Sequence, residues 1–67
     1  MFKLTIKLNN QQPLCFYSKN KDFIFKIGKT YIKNNNVTRT DNDFPIETKS
    51  MYVDIFEEGV VIIRKLK

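Results

Sequence analysis

Ile46-Glu47-Thr48-Lys49-Ser50-Met51-Tyr52-Val53-Asp54-Ile55-Phe56 decides what kind of fold this chain has. Read with a period of two, Met51, Val53 and Ile55 share one face and Tyr52, Asp54 and Phe56 the other, as in a strand. Read with a helical period, Met51 stacks on Ile55 and Tyr52 on Phe56, each at i, i+4, and Gly59 ends the helix. β-Branched Val53 and Ile55 favour the strand. Glu57-Glu58-Gly59 is then a short hairpin loop with Gly59 in the left-handed position. Val60-Val61-Ile62-Ile63-Arg64 follows as the last strand. Its continuous apolar run implies burial on both faces, or one face covered by a partner.

Towards the N-terminus the period of two recurs. Phe2, Leu4, Ile6 and Leu8 alternate with Lys3, Thr5 and Lys7, which reads as a half-buried strand. Asn9-Asn10-Gln11-Gln12-Pro13 is a turn. Leu14-Cys15-Phe16-Tyr17-Ser18 reads as a second strand, and Lys19-Asn20-Lys21-Asp22 as a polar turn. Phe23-Ile24-Phe25-Lys26-Ile27 gives a third strand, and Gly28 a bend or bulge. Thr30-Tyr31-Ile32-Lys33 continues as a strand. Asn34-Asn35-Asn36 is a turn, because Asn tolerates the left-handed conformation. Val37-Thr38-Arg39-Thr40 is a short strand, and Asp41-Asn42-Asp43-Phe44-Pro45 a loop. The expected core is Leu4, Ile6, Phe16, Phe25, Ile32, Val53 and Ile62.

This pattern predicts an all-β fold over residues 1–67 as one small domain. It is a small curved antiparallel sheet, or an SH3-like or OB-like barrel, of about five to seven short strands. The alternative is α+β with one helix near 46–57. Composition agrees with β structure. Ala, the best helix former, is absent, and Ile, Val, Thr, Phe and Tyr supply 26 of the 67 residues. Lys, Asn, Ile, Phe and Tyr make up 34 of the 67. Their A- and T-rich codons point to an AT-rich genome, such as that of a low-GC bacterium, its phage or a plasmid.

Several function classes drop out. No unbroken apolar run exceeds four residues, so no segment reads as a membrane span. The alternating N-terminus lacks the apolar core of a signal peptide. A cytoplasmic location, in a bacterial host if the source is bacterial or phage, is expected. The single Cys excludes an internal disulfide, and His is absent, which removes the usual general base and the commonest zinc ligand. There is no phosphate loop and no nucleophile elbow. Asp41-Asn42-Asp43 opens like a calcium loop, but Ile46 and Tyr52 stand where that loop requires Gly and Glu. No catalysis, cofactor or metal is expected. Cys15 reads as a small hydrophobe.

Charge is uneven along the chain. Formal net charge is +5, with a balance of +7 over residues 1–40, −5 over 41–63 and +3 over 64–67. The expected function is a non-enzymatic protein-binding module, such as a phage or mobile-element protein that binds and inhibits a host protein or nucleoprotein complex. Its candidate contact residues are Asp41, Asp43, Phe44, Tyr52, Phe56, Glu57 and Glu58, aromatic anchors among steering charges. The alternative is a single-stranded nucleic-acid binder. On a strand, Lys29, Tyr31 and Lys33 would project from one face, and with Lys3 and Lys7 they would form a stacking platform flanked by cations. A further alternative is a self-assembling structural protein that associates through the Val60–Ile63 strand.

Overall fold

The computed structural model describes residues 1–66. Its elements are β1 (Phe2–Leu8), β2 (Leu14–Ser18), α1 (Lys21–Asn34), β3 (Ile46–Glu47), β4 (Met51–Phe56) and β5 (Gly59–Lys65). The strands form one antiparallel five-stranded sheet in the order β2-β1-β5-β4-β3. The antiparallel sheet expected from the period-two pattern is therefore present. It is open, with β2 and β3 as its edges, and one helix packs against it. The strand reading of Met51–Phe56 holds, so the alternative helix near 46–57 does not form.

The helix lies elsewhere, over Lys21–Asn34, where the alternation of Phe23, Phe25 and Ile27 had suggested strands. Three local features explain it. Asn20 is an N-cap whose side-chain oxygen accepts from the Phe23 N–H at 3.0 Å. Asp22 in the first turn and Lys33 in the last suit the helix dipole. Ile24, Gly28 and Ile32 recur at i, i+4 and i+8, and with Phe25 they form the buried stripe. Gly28 is no strand bulge. It lets the helix approach the sheet, since a Cβ there would lie 2.9 Å from Ile63 Cδ1. Residues 35–45 are loop, so Val37–Thr40 is not a strand. Asn36 takes positive φ in the Asn34–Asn36 turn, where the left-handed conformation was expected, and Asn10 does so in the β1–β2 turn.

Directly paired residues of an antiparallel sheet share a face, and the registers sort every strand residue. The helix-side face carries Phe2, Leu4, Ile6, Val61, Ile63, Tyr52 and Phe56, which with Ile24, Phe25 and Ile32 make the core. Phe25 meets the edges of Phe2 and Tyr52, each with ring centroids 6.2 Å apart. Of the expected core, Leu4, Ile6, Phe25 and Ile32 are buried there. Phe16 sits exposed on edge strand β2, and Val53 and Ile62 point to the opposite face. Gly59 opens β5 without a positive φ, contrary to the left-handed position expected for it. Its role is close approach, because a Cβ there would fall 2.1 Å from the Lys7 carbonyl oxygen. β5 is paired on both sides, so the Val60–Ile63 strand has no free edge for self-assembly.

Candidate interaction face

The helix covers one face of the sheet and leaves the other uncovered. Along that outer face the registers align two rows across the strands. One is Cys15–Thr5–Ile62–Val53–Ile46, and the other is Tyr17–Lys3–Arg64–Met51. Val60 and Ile55 extend the apolar area next to Lys7. Ile46, Met51 and Ile55 are exposed, and Val53, Val60 and Ile62 are half-buried. This face carries no carboxylate among the described residues.

Lys3 lies directly opposite Arg64. Like charges directly opposed across a ladder destabilise a sheet, and an anion beside them would offset that cost. Lys3 Nζ also lies 5.8 Å from the centre of the Tyr17 ring, at cation–π distance. Arg64 and Tyr17 are both exposed. Lys7 is partly engaged: its ammonium donates to the Gln11 carbonyl at 2.6 Å and to that of Leu8 at 3.1 Å, holding the β1–β2 turn.

The proposed nucleic-acid residues therefore separate. Lys3 and Lys7 share the outer face, but Lys29, Tyr31 and Lys33 are helical. At 100° per residue Lys29 and Lys33 share a helix face, but Tyr31 points away from both. Lys29 pairs with Glu47 at 2.8 Å and lies over the Tyr52 ring at 5.7 Å. Tyr31 packs against the core, and Lys33 is exposed.

The expected acidic and aromatic patch also disperses. Tyr52 and Phe56 are buried core residues, because Asp54 and not Met51, Val53 or Ile55 shares their face. Burial raises the Tyr52 phenol above its ordinary value, and the Asp54 charge adds to this. Phe44 is half-buried, and Asp41 and Asp43 are exposed loop residues, with Asp41 accepting from the Asp43 N–H at 2.9 Å. Glu58 accepts from the Thr38 N–H at 2.9 Å, a contact that holds its carboxyl below the usual range. The Glu57 N–H donates to the Thr38 carbonyl at 2.7 Å. These acids staple the 35–45 loop to the β4–β5 turn.

Two features gave little sequence signal. Asp54 is fully buried on the helix-side face and is gripped by the Arg39 guanidinium, whose Nε donates to Oδ1 at 2.9 Å and Oδ2 at 3.1 Å. That contact raises the Arg39 pKa further. The charge of Asp54 broke an otherwise apolar face, which was the one available hint. The outer-face rows depend on the register of all five strands, and sequence spacing alone does not give register. Among the described residues no group of three or more His, Cys, Asp or Glu could hold a metal, and no helix is long and apolar enough to cross a membrane. No known protein family, curated protein or solved structure matches the chain.

Proposed function

We propose that this protein is a non-enzymatic binding module that receives a protein partner on the outer face of its sheet. One observation carries the reading. A partly exposed, mainly apolar row lies beside the opposed cations Lys3 and Arg64, on a face with no carboxylate among the described residues. A partner that presents apolar side chains next to Asp or Glu complements it. The apolar contact supplies binding energy, and the charges steer encounter and fix register. The abundance of Lys, Asn, Ile, Phe and Tyr fits a phage or mobile-element protein that engages a host protein or nucleoprotein complex, and occupying a functional surface there would inhibit it.

A second reading uses the same face. Exposed Tyr17 with Lys3 over its ring offers a stacking platform beside cations, the chemistry of single-strand nucleic-acid binding. Retention of partners from host lysate by the parent, Ile62→Lys and Tyr17→Ala, with and without nuclease, tests both. The protein reading expects a nuclease-resistant partner that is lost with Ile62→Lys. Nuclease-sensitive capture lost with Tyr17→Ala, together with salt-sensitive oligonucleotide binding, would replace it. Equal retention by all three proteins would remove both.

A further inference from the structure

The two edges of the sheet are not alike. β3 is two residues long, and its Glu47 is held by Lys29 from the helix. A short edge that carries charge resists pairing with another chain. β2 is the reverse. Leu14-Cys15-Phe16-Tyr17-Ser18 contains no charge, and it presents unpaired backbone groups along its free side. Leu14 and Phe16 lie on the helix side and Tyr17 on the outer side, each between 45% and 58% exposed. Phe23, in the first turn of α1, is 55% exposed. Phe25 and Lys29 mark the helix flank that faces β4 and β3, through Tyr52 and Glu47. Ile27 lies on the opposite flank against the core, and Phe23, one turn before it, is turned further out towards solvent.

We propose that β2 pairs antiparallel with β2 of a second copy, about a two-fold axis at Phe16, so that the two five-stranded sheets become one continuous sheet. The strand is complementary to itself in this register. Phe16 meets its own counterpart, Leu14 meets Ser18, and Cys15 meets Tyr17. Beyond the strand, Lys19 falls beside Pro13 of the second copy and not beside another lysine. This offset favours a second copy over a foreign strand, which would need its own match to an uncharged segment flanked by lysines. The two-fold axis puts both helices on the same side of the joined sheet. Leu14 and Phe16 of the two copies then meet across the seam on that side. The outer faces likewise join on the other side.

The contact is modest. An aromatic side chain buries ~150–250 Å² when fully covered. Three half-exposed large side chains therefore offer on the order of 300 Å² per copy, less than half of what a standard interface uses per partner. Each copy carries +5, so like charge opposes association. The dimer should be weak, with a micromolar or higher dissociation constant, and it should tighten as salt screens the repulsion.

Sedimentation equilibrium from micromolar to millimolar concentration tests this, with the parent, Phe16→Lys, Phe16→Glu and an equimolar mixture of the two variants. The parent should show a monomer–dimer equilibrium. Each variant alone should be monomeric, because it sets like charges face to face, and the mixture should associate again because it sets Lys against Glu. Amide exchange on the parent gives a reading that needs no variant: protection should rise with concentration at β2 and not at β3. A parent that stays monomeric at millimolar concentration overturns the proposal. So does association that persists in Phe16→Lys, or that Ile62→Lys on the outer face abolishes.

Discussion

Arg39 holds the buried carboxylate of Asp54 from the edge of the 35–45 loop, with its Nε shared between both carboxylate oxygens. Asp54 is fully buried, whereas the Arg39 side chain is 36% exposed. The pair ties an irregular loop to the helix-side face of β4. Arg39→Ala would leave the charge unpaired in the core. The expected cost is about 3 kcal/mol, at the low end for broken buried pairs because water reaches the guanidinium side. Replacing both partners, as Arg39→Met with Asp54→Leu, should recover most of that loss. Urea unfolding of the three proteins checks this, and a double variant as weak as Arg39→Ala would contradict it.

Adjacent residues of β5 should respond oppositely to charge. Ile63 is fully buried beneath Gly28, and Ile62 faces outward. Ile63→Lys should abolish cooperative melting. Ile62→Lys should stay within about 1 kcal/mol of the parent. Val61→Lys should behave like Ile63→Lys, and Phe25→Ala should lose ~3–5 kcal/mol. Circular dichroism melts would show whether the faces are assigned correctly.

The same strand shows what the sequence carried and what it did not. Apolar runs placed strands at Leu14–Ser18 and Val60–Arg64, and periodicity placed those at Phe2–Leu8 and Met51–Phe56, because alternation there is local. It could not say which side of Val60-Val61-Ile62-Ile63 meets the helix, since both sides are apolar. Phe23 to Lys33 misled for a related reason. Phe23 and Ile27 satisfy both a period of two and i, i+4, and the decisive signals were the Asn20 cap and the Ile24–Gly28–Ile32 spacing. Of the candidate residues, Lys3 and Lys7 lay on a strand read correctly and remain together. Tyr52 and Phe56 went inward because face assignment requires knowing where the helix sits.

The two glycines should differ when a methyl group is added. At Gly59 it would strike backbone, the Lys7 carbonyl oxygen at 2.1 Å and Leu8 Cα at 2.8 Å. Relief requires β5 to move away from β1, so Gly59→Ala should cost about 2 kcal/mol or more. At Gly28 the nearest atom is the flexible Cδ1 of Ile63. The helix also gains ~1 kcal/mol from Ala, so Gly28→Ala should stay within about 1 kcal/mol of the parent. Chemical denaturation of both variants gives the comparison.

Alkaline pH should unfold the protein partly through Tyr52. Its pKa is raised above 10.0 in the fold, chiefly by burial. The folded state therefore holds the phenolic proton more tightly than the unfolded chain. This contribution is complete below pH 10 and is lost as pH climbs from about 10 through the higher folded value. Tyr52→Phe has no proton to lose and should show a shallower decline of stability over that range. Equal slopes for the parent and Tyr52→Phe in urea melts at rising pH would contradict the assignment.

Pairing of β1 with β5 brings the first and last strands side by side, and the Leu66 N–H donates to the Met1 carbonyl at 2.8 Å. On the ribosome, β1 emerges first of the six elements and β5 last. The β1–β2 hairpin and the helix can form early, but the central seam of the sheet must wait for the final strand. Until then β1 lacks its partner on that edge, and forming the seam closes a loop of about fifty residues. Folding should be slow for so short a chain, in the millisecond-to-second range of sheets built on distant pairings. During that interval the nascent hairpin is the segment a chaperone would hold.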